Sequence, residues 1–348
     1  MGHAEMTSTN ERAPAPEPRE PARKLPTLSV VIATRDRVNM LEGALEALGA
    51  QLRGGDEVLV VDSASSDTRV REVTEGHGAR FLRCELPGTS RARNAGARAA
   101  GGDLVAFVDD DCRAAPGWAD ALKEAFRRDP GLGFLAGMVL PTGAPPGSGS
   151  HLSMSVFTED VARPLERDGD VGAAGHGANM AWRADVLRGI GGFDELLGPG
   201  THLRAAEDRD AIWRALLAGH RGFYEPAARV YHLQWRTLGQ QLSAYYSYGV
   251  GEGASSVKRS VDGPDALVRR RTLLVDGRFW HEARVAIWER ATRKAISSLA
   301  RGHEAAFLAE SAKAAGTIVG ALRASRLAIR DGHFTASSAD DVPAPPLP

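Results

Sequence analysis

Short hydrophobic runs alternate with amphipathic stretches over the first third of the chain. The run at 28–34 is apolar and β-branched, is too short for a helix and ends in charged residues, which predicts a buried strand. The next segment, 40–52, has leucines at helical spacing and stops before a pair of glycines, which predicts a helix. The same alternation predicts three more strands, at 57–62, 80–84 and 104–108, and three more helices, at 68–76, 90–100 and 118–128.

This alternation predicts an α/β fold. Parallel strands need a crossover between them, and a helix is the usual crossover, so we expect a doubly wound, mostly parallel sheet with helices on both faces. Ligands in such sheets bind beyond the carboxyl ends of the strands. Three of the predicted strands end in charged or hydroxylated residues. We therefore expect the functional site at that edge.

The alternation of hydrophobic runs and amphipathic stretches becomes less regular after residue 141. It predicts a loop at 145–150, one or two strands within 151–182, helices at 184–190 and 208–218, a strand at 222–225, and a mainly helical region over 238–330. Nine of the 19 prolines lie in the two ends of the chain, which predicts disordered tails. The expected organisation is thus a tail at 1–26, a sheet domain at 27–237, a helical C-terminal region at 238–330 and a tail at 331–348.

The charge and the cysteine content argue against several classes of protein. Lys and Arg number 43 against 44 Asp and Glu, for a net charge of −1, which argues against a dedicated nucleic-acid binder. Cys84 and Cys112 are too few for a disulfide framework, and we expect a reducing, cytoplasmic setting. No segment has the length and apolarity of a membrane span or a signal peptide.

The clearest candidate site is the acidic cluster Asp109, Asp110 and Asp111, which follows a hydrophobic strand. Adjacent carboxylates repel one another unless solvent or a cation compensates them. Two of them at i and i+2 can turn toward one hard divalent ion that keeps phosphate oxygens as further ligands. A solvated acidic turn is the alternative interpretation.

Other polar residues fall at the same predicted edge. Asp62 ends the second strand and would either accept a hydrogen bond from a nucleoside or cap the following helix. The turn after the first strand, 34–37, has no glycine, which argues against a NAD-type fold. Arg91 and Arg93 at a helix start would either neutralise a diphosphate or be solvated.

Three further positions are candidates for binding or proton transfer. Asn179 follows a stretch of small residues that would let a ligand approach the backbone, although an ordinary turn explains it too. Glu207 and Asp208 open a helix, where they would act as caps or where one would act as a general base. His232 would be structural or would complete the ion site.

Taken together and in this order, these motifs resemble the family 2 glycosyltransferases of the GT-A fold. The resemblance covers 28–232, about 200 residues. It is carried by VVIATRDR at 30–37, VVDSASSD at 60–67, RARN at 91–94, FVDDD at 107–111 with Pro116, ANMA at 178–181 with GFDE at 192–195, Glu207 with Asp208, and His232.

The resemblance implies a metal-dependent enzyme that moves a sugar from a nucleoside-diphosphate sugar to a hydroxyl acceptor with inversion, using Mg²⁺ or Mn²⁺. The residues expected to hold the donor are Thr34, Arg35, Asp62, Arg91, Asn94, Asp109 and Asp110. The expected metal ligands are Asp111, Asp109 and His232, with Asp110 an alternative to Asp109. The expected base is Asp208, with Glu207 beside it, and the expected acceptor region contains Asn179 and Trp182.

Alternatives remain open at this point. A nucleotidylyltransferase would also use paired carboxylates and a metal, although the first turn lacks the glycines typical of that class. A non-catalytic carbohydrate-binding relative is the other alternative. The acceptor would be a saccharide, a lipid-linked sugar or a small molecule. Eleven basic and five acidic residues in 257–301 favour either solvated packing on the sheet domain or contact with the cytoplasmic face of a membrane.

Overall fold

The computed structural model describes residues 24–142, 151–152, 156–166, 175–233, 235–262 and 304–331. Several predicted segments lie outside these residues. They are most of the two tails, the loop at 145–150 and the part of the basic stretch from 263 to 301. The prediction of membrane contact through that stretch therefore stays a prediction.

The described residues form eleven strands and eight helices. The strands are β1 (Leu28–Thr34), β2 (Glu57–Ser63), β3 (Arg80–Cys84), β4 (Leu104–Val108), β5 (Cys112–Ala114), β6 (Leu132–Pro141), β7 (His151–Leu152), β8 (Arg163–Leu165), β9 (Asn179–Arg183), β10 (Arg221–His232) and β11 (Trp235–Arg236). The helices are α1 (Val38–Gly49), α2 (Arg69–Gly76), α3 (Thr89–Ala99), α4 (Trp118–Arg128), α5 (Ala184–Gly189), α6 (Glu207–Leu217), α7 (Leu238–Asp262) and α8 (Glu304–Asp331).

Nine of these strands form one sheet in the order β3-β2-β1-β4-β9-β6-β10-β5, with β8 also paired to β10. The four strands from β3 to β4 are parallel, with helical crossovers between them, which confirms the doubly wound α/β expectation. Beyond β4 the sheet is mixed, because β9 runs antiparallel to both of its neighbours. The parallel register places Thr34 beside Asp62 at the carboxyl edge.

Alternate residues of each central strand enter two different cores. Val30 and Ile32 of β1 pack with α1 and α4 on one face, while Val31 packs with α3 and α6 on the other. A strand buried on both faces needs the continuous apolar run that the sequence shows. Helix α3 approaches the sheet closely because Gly96 has no side chain, and a Cβ there would overlap Val31.

The second half of the sheet was harder to predict. The structure has three short strands within 151–182 where we expected one or two, and it contains β5 and β6, which the pattern does not predict. Strand β10 is much longer than the predicted 222–225, with a register shift between Glu225 and Arg229. That length carries His232 to the edge where the acidic cluster lies, opposite Cys112 of β5.

The C-terminal helices are confirmed and are joined to the sheet domain. Helices α7 and α8 contact each other along much of their length. A third apolar cluster unites them with the loop before α6; its members are Leu197, Leu203, Ala254, Val257, Ala321 and Ala324. Lys258 of α7 also pairs with Asp194 and with Asp210 of α6. Neither helix, nor any other in the described part of the chain, has the length and apolarity to cross a membrane.

Candidate active site

A cleft of about 490 Å³ opens at the carboxyl edge of the sheet. One wall is formed by the end of β1, the acidic cluster after β4, the end of β10 and the start of α6. The other wall comes from β11, α7 and α8. The expected position of the site, beyond the strand ends, is thus where the structure has its cleft.

Each carboxylate of the acidic cluster has a different partner. Asp110 accepts a hydrogen bond of 2.7 Å from the Thr34 hydroxyl, so the end of β1 fixes it. Asp111 lies 2.9 Å from Nε2 of His232, at the end of β10. The Asp110 and Asp111 side chains are less than a tenth exposed, whereas Asp109 is about a third exposed. The three acids therefore do not act as one solvated turn.

Arg37 spans the two buried acids of this cluster. Its Nη1 lies 3.1 Å from Asp110 and 3.0 Å from Asp111. Burial raises the pKa of Asp110 to about 6, in spite of this cation. For Asp111, burial acts in the same direction, but the hydrogen bond and charge of His232, with Arg37, lower its pKa overall. Asp111 therefore stays ionised to a lower pH than Asp110 does.

The donors around Asp111 fit a divalent cation. Ligand atoms of Asp111, Cys112 and His232 all lie within 4.8 Å of one another. A carboxylate oxygen suits Mg²⁺ and Mn²⁺ alike, whereas an imidazole nitrogen suits a transition-metal ion and so favours Mn²⁺ over Mg²⁺. Burial raises the pKa of the Cys112 thiol well above its ordinary value, so it stays protonated and is a poor ligand. The donor set is therefore Asp111 with His232.

A buried arginine connects the acidic cluster to helix α6. Arg93 donates from Nη2 to Asp109 and from Nη1 to Glu207, each at 2.8 Å. Burial opposes its charge, but the carboxylates of Asp109 and Glu207 raise its pKa overall. The guanidinium thus stays charged and fixes the position of the α6 start relative to the end of β4.

The two acids that open α6 differ in environment. Glu207 is buried, and burial followed by the charge of Asp208 raises its pKa to about 7. Asp208 is partly exposed in the cleft and accepts a 2.8 Å hydrogen bond from the Gly177 amide. Burial opposes ionisation of Asp208, but Arg209, His176 and that amide lower its pKa overall. Asp208 is thus ionised at neutral pH.

The backbone around the cleft is strained. Among the described residues, four that are not glycine have a positive φ: Asp36, Ala64, Arg204 and Ala206. Two of them directly follow β1 and β2, and the other two precede α6. Each such residue costs about 1–3 kcal/mol, and strain of this kind concentrates at functional sites.

Comparison with known proteins places the sheet domain in a family. The family described as "Glycosyl transferase family 2" matches residues 29–174. These residues therefore match a family 2 glycosyltransferase domain, which confirms the resemblance found in the sequence.

Two curated relatives extend the match. The "Pre-mycofactocin glycosyltransferase" of Mycobacterium tuberculosis is 28% identical over 251 residues, which are 68% of this chain and 48% of the relative. The "Glucosyl-dolichyl phosphate glucuronosyltransferase" of Haloferax volcanii is 27% identical over 228 residues, which are 60% of this chain and 71% of the relative. The chain thus spans about half the length of the mycobacterial relative.

A solved structure supports the fold. The mannosyltransferase PcManGT from Pyrobaculum calidifontis, in complex with GDP-Man and Mn²⁺, aligns with a TM-score of 0.52 at 17% identity. The alignment covers 85% of this chain and 87% of that one. The expected GT-A architecture with a helical C-terminal region is thus confirmed as a fold.

The cleft contains eight of the residues expected from the sequence. They come from β1, the acidic cluster, α6 and β10, and they are Thr34, Arg35, Asp109, Asp110, Asp111, Glu207, Asp208 and His232. Within the triple Asp, the structure pairs Asp111 with His232 and turns Asp109 toward Arg93.

Three of the residues expected to hold the donor are engaged elsewhere. Asp62 is buried and bound to Arg83 at 2.5 Å. Arg91 lies 3.3 Å from Glu195. Asn94 exchanges hydrogen bonds of 2.9 and 2.8 Å with the backbone of Phe193. None of the three lines the cleft, because each stabilises a loop beside it.

The two residues expected in the acceptor region also lie away from the cleft. Asn179 is fully buried, accepts from Trp118 at 2.9 Å and donates to two backbone carbonyls. Trp182 is fully buried and stacks on Phe134. Neither offers a surface to an acceptor, so both are assigned to the core of the sheet instead.

Several cleft residues were missed by the sequence analysis. Arg37 is part of a motif but has no predicted role, and the two predictions for Arg93, a diphosphate or solvent as its partner, do not include Asp109 and Glu207. The helical wall residues Tyr248, Glu252 and Lys313 have no predicted role in the site. The four-residue spacing of Tyr248 and Glu252 is the only signal that places them on one helix face.

Proposed function

We propose that the protein is a metal-dependent glycosyltransferase that moves a sugar from a nucleoside-diphosphate sugar to an acceptor hydroxyl, with Asp208 as the base. One observation carries the proposal: the Asp111–His232 pair and Asp208 line the same cleft. The names of the two relatives, and the GDP-Man and Mn²⁺ bound to the archaeal mannosyltransferase, agree with this class of reaction.

The sheet wall would hold the donor. Asp111 and His232 would bind Mg²⁺ or Mn²⁺, and Arg37 would then be released from Asp111 toward the cleft. A divalent cation at this position stabilises the negative charge that develops on a departing nucleoside diphosphate. Thr34 keeps Asp110 in place beside it, and Arg93 keeps Asp109 aligned with α6.

Asp208 would take the acceptor proton. A hydroxyl is a poor nucleophile at neutral pH, so a carboxylate must accept its proton as it attacks. The amide of Gly177 holds one oxygen of Asp208, and the lowered pKa keeps the group ionised. Attack from the side of one base, opposite the leaving group, would invert the anomeric carbon.

The test measures donor binding and transfer separately. Thermal shift with UDP, GDP and dTDP, each with Mn²⁺, selects the nucleotide, and the matching nucleotide sugar then serves for turnover. Asp208→Asn should lower turnover about 10²–10⁴-fold and leave nucleotide binding unchanged.

Asp120→Asn, on the exposed surface of α4, is the matched control and should keep wild-type turnover. The assignment of Asp208 fails if its variant turns over at the wild-type rate. The proposed function as a whole fails if none of the nucleotides shifts the melting temperature. Pyrophosphate release from a nucleoside triphosphate and a sugar phosphate would instead indicate a nucleotidylyltransferase.

A further inference from the structure

Arg37 and Arg93 both contact the acidic cluster, but they do so in different ways. The Arg93 side chain is 4% exposed and uses both of its Nη atoms, one for each of two carboxylates. The Arg37 side chain is 47% exposed, lines the cleft and reaches Asp110 and Asp111 from a single nitrogen, Nη1. Within the described part of the chain, its Nε and Nη2 donate no hydrogen bond. Arg93 is therefore a fixed connection, whereas Arg37 keeps unused donors beside the cleft.

The backbone that carries Arg37 is fixed, although its side chain is half exposed. Its carbonyl accepts hydrogen bonds from the amides of Met40 and Leu41 at the start of α1, each at 3.0 Å. The preceding residue, Asp36, accepts hydrogen bonds of 2.7 and 2.8 Å from the amide and hydroxyl of Ser66, in the loop after β2. The guanidinium can therefore move by rotation about its side-chain bonds while the turn stays in place.

Arg37 occupies the carboxylate that the proposed metal site needs. Oδ1 of Asp111 lies 2.9 Å from Nε2 of His232, and Oδ2 of the same group lies 3.0 Å from Nη1 of Arg37. A divalent ion bound by Asp111 and His232 would share this carboxylate with the guanidinium. Two positive charges on one buried carboxylate repel each other. The ion and Arg37 therefore compete for the same group.

A released Arg37 would have a substrate group to bind. The donor of the proposed reaction carries a diphosphate, and phosphate oxygens are common ligands of a divalent ion held by a carboxylate. A guanidinium presents several N–H donors in a planar fork that matches phosphate oxygens, and it stays charged at neutral pH. The Arg37 side chain already lies in the same cleft as the proposed ion site. A side-chain rotation would thus carry it from the two acids to a diphosphate.

We propose that Arg37 compensates Asp110 and Asp111 until the divalent ion binds, and that the ion then displaces it from Asp111 onto the diphosphate of the donor. This inference rests on the proposed function, because it takes Asp111 and His232 as the metal ligands and a nucleoside diphosphate as the leaving group. It adds a donor-binding residue and a coupling between the two ligands, since the ion makes the arginine available. Ion and donor should therefore bind cooperatively.

The first experiment uses Mn²⁺ alone as the probe. Calorimetry on the full chain compares wild type with Arg37→Met, whose side chain is unbranched and uncharged. Because the competing cation is gone, Arg37→Met should bind Mn²⁺ about tenfold more tightly, the change expected when one charged hydrogen bond no longer has to be broken. Arg37→Lys keeps a competing charge and should stay close to the wild-type affinity. Arg53→Met, which removes an arginine from an exposed pair with Asp120, is the matched control of unchanged affinity.

The second experiment measures binding of the nucleoside diphosphate selected by thermal shift, at saturating Mn²⁺. Here Arg37→Met should bind the nucleotide about tenfold more weakly, because the contact to the diphosphate is lost. Arg37→Lys should show an intermediate loss, since an ammonium keeps the charge but not the planar fork. The same substitution is thus expected to strengthen binding of the ion and to weaken binding of the nucleotide. A purely structural defect in the turn would weaken both.

Thermal melts with and without Mn²⁺ check that the variants fold. Mn²⁺ should raise the melting temperature of Arg37→Met more than that of wild type, because the ion supplies the compensation that two buried acids then lack. If Arg37→Met does not fold, Arg37→Lys carries the nucleotide measurement, and a wild-type nucleotide affinity in Arg37→Lys then overturns the proposal.

Two further results would overturn the inference. One is an affinity of Arg37→Met for Mn²⁺ that is equal to or below that of wild type, or Mn²⁺ binding that is absent from both. The other is a nucleotide affinity that neither substitution of Arg37 changes. Failure of the proposed function is a different result, because no nucleoside diphosphate would then bind to wild type, whereas Mn²⁺ alone would still distinguish Arg37→Met from wild type.

Discussion

The two walls of the cleft are held in place by different forces. In the sheet wall, buried charges hold one another: Arg93 joins Asp109 to Glu207, and Arg37 spans Asp110 and Asp111. In the helical wall, glycine contacts between α7 and α8 set the position of the polar side chains. In the proposed function, the charged wall would hold the cation and the base, whereas the packed wall would contact a substrate.

Because these forces differ, different kinds of substitution should destabilise the two walls. Ion pairs in a buried site are costly when one partner is removed, because the other charge stays in a low dielectric. Packed helices are destabilised when an added side chain separates their backbones. Such a change moves the polar side chains that the helices carry, but it leaves no buried charge without a partner. Chemistry and substrate selection should therefore respond to different substitutions.

The largest effect is expected at Arg93. Arg93→Met leaves Asp109 and Glu207 without their cation and should reduce the free energy of unfolding by about 3–5 kcal/mol, measured by urea denaturation. Arg53→Met, which breaks an exposed pair with Asp120, should change the free energy of unfolding far less, because solvent screens that pair. Equal losses in the two variants would show that the sheet wall does not depend on buried charge.

A loss of stability of intermediate size is expected from a substitution between α7 and α8. Gly320→Ala places a methyl group against the Val250 carbonyl and should destabilise the protein by about 1–3 kcal/mol. Gly239→Ala, where a Cβ meets nothing, should stabilise α7 by up to about 1 kcal/mol. Thermal unfolding measures both. The packing account is contradicted if the two variants shift the melting temperature in the same direction.

The same Gly320→Ala variant tests whether the two walls have different roles. If the sheet wall alone holds the donor, as proposed, this variant should slow sugar transfer to the acceptor more than it slows hydrolysis of the donor. Comparing the two rates in one preparation tests this. Equal slowing of both reactions would mean that the helical wall supports the donor too.

The smallest effect per step of the measurement is a pH dependence of stability, because it is spread over more than two pH units. The pKa of Glu207 is raised from 4.5 to about 7, so the folded protein holds this proton more tightly than the unfolded chain. The resulting stability is complete below pH 4.5 and is lost as the pH rises to about 7, at no more than about 1.4 kcal/mol per pH unit.

Glu207→Gln should flatten this profile, as followed by denaturation between pH 5 and pH 7. Glu46→Gln, at an exposed position on α1, is its matched control and should keep the wild-type profile. A Glu207→Gln profile with the wild-type slope would show that this carboxyl does not retain its proton in the folded state.

The comparison also explains what the sequence could predict. The sheet wall is built from residues that directly follow hydrophobic strands, such as Asp109 after β4, so periodicity and strand order place them at one edge. His232 and Asp208 were found for the same reason, as polar residues at element ends. The parallel half of the sheet was predictable because its strands are continuous apolar runs.

No comparable sequence pattern marks the residues of the helical wall. Glu252 and Lys313 are 61 positions apart on two helices, and only the packing between those helices brings them together. Asn179 and Trp182 show the opposite case. The sequence predicted both at the site, but the structure buries both in the core. Whether a polar side chain faces a cleft or the core depends on tertiary contacts that local pattern does not contain.

The most direct test of the account is the affinity for Mn²⁺ in the presence of the selected nucleoside diphosphate. Titration calorimetry compares wild type, Asp111→Asn and His232→Gln, with Asp120→Asn as a control of unchanged affinity. The account predicts that each of the first two variants weakens Mn²⁺ binding by at least about tenfold, the lower bound for disturbing a metal site. Wild-type affinity in both variants would contradict it, because the cation would then be held elsewhere.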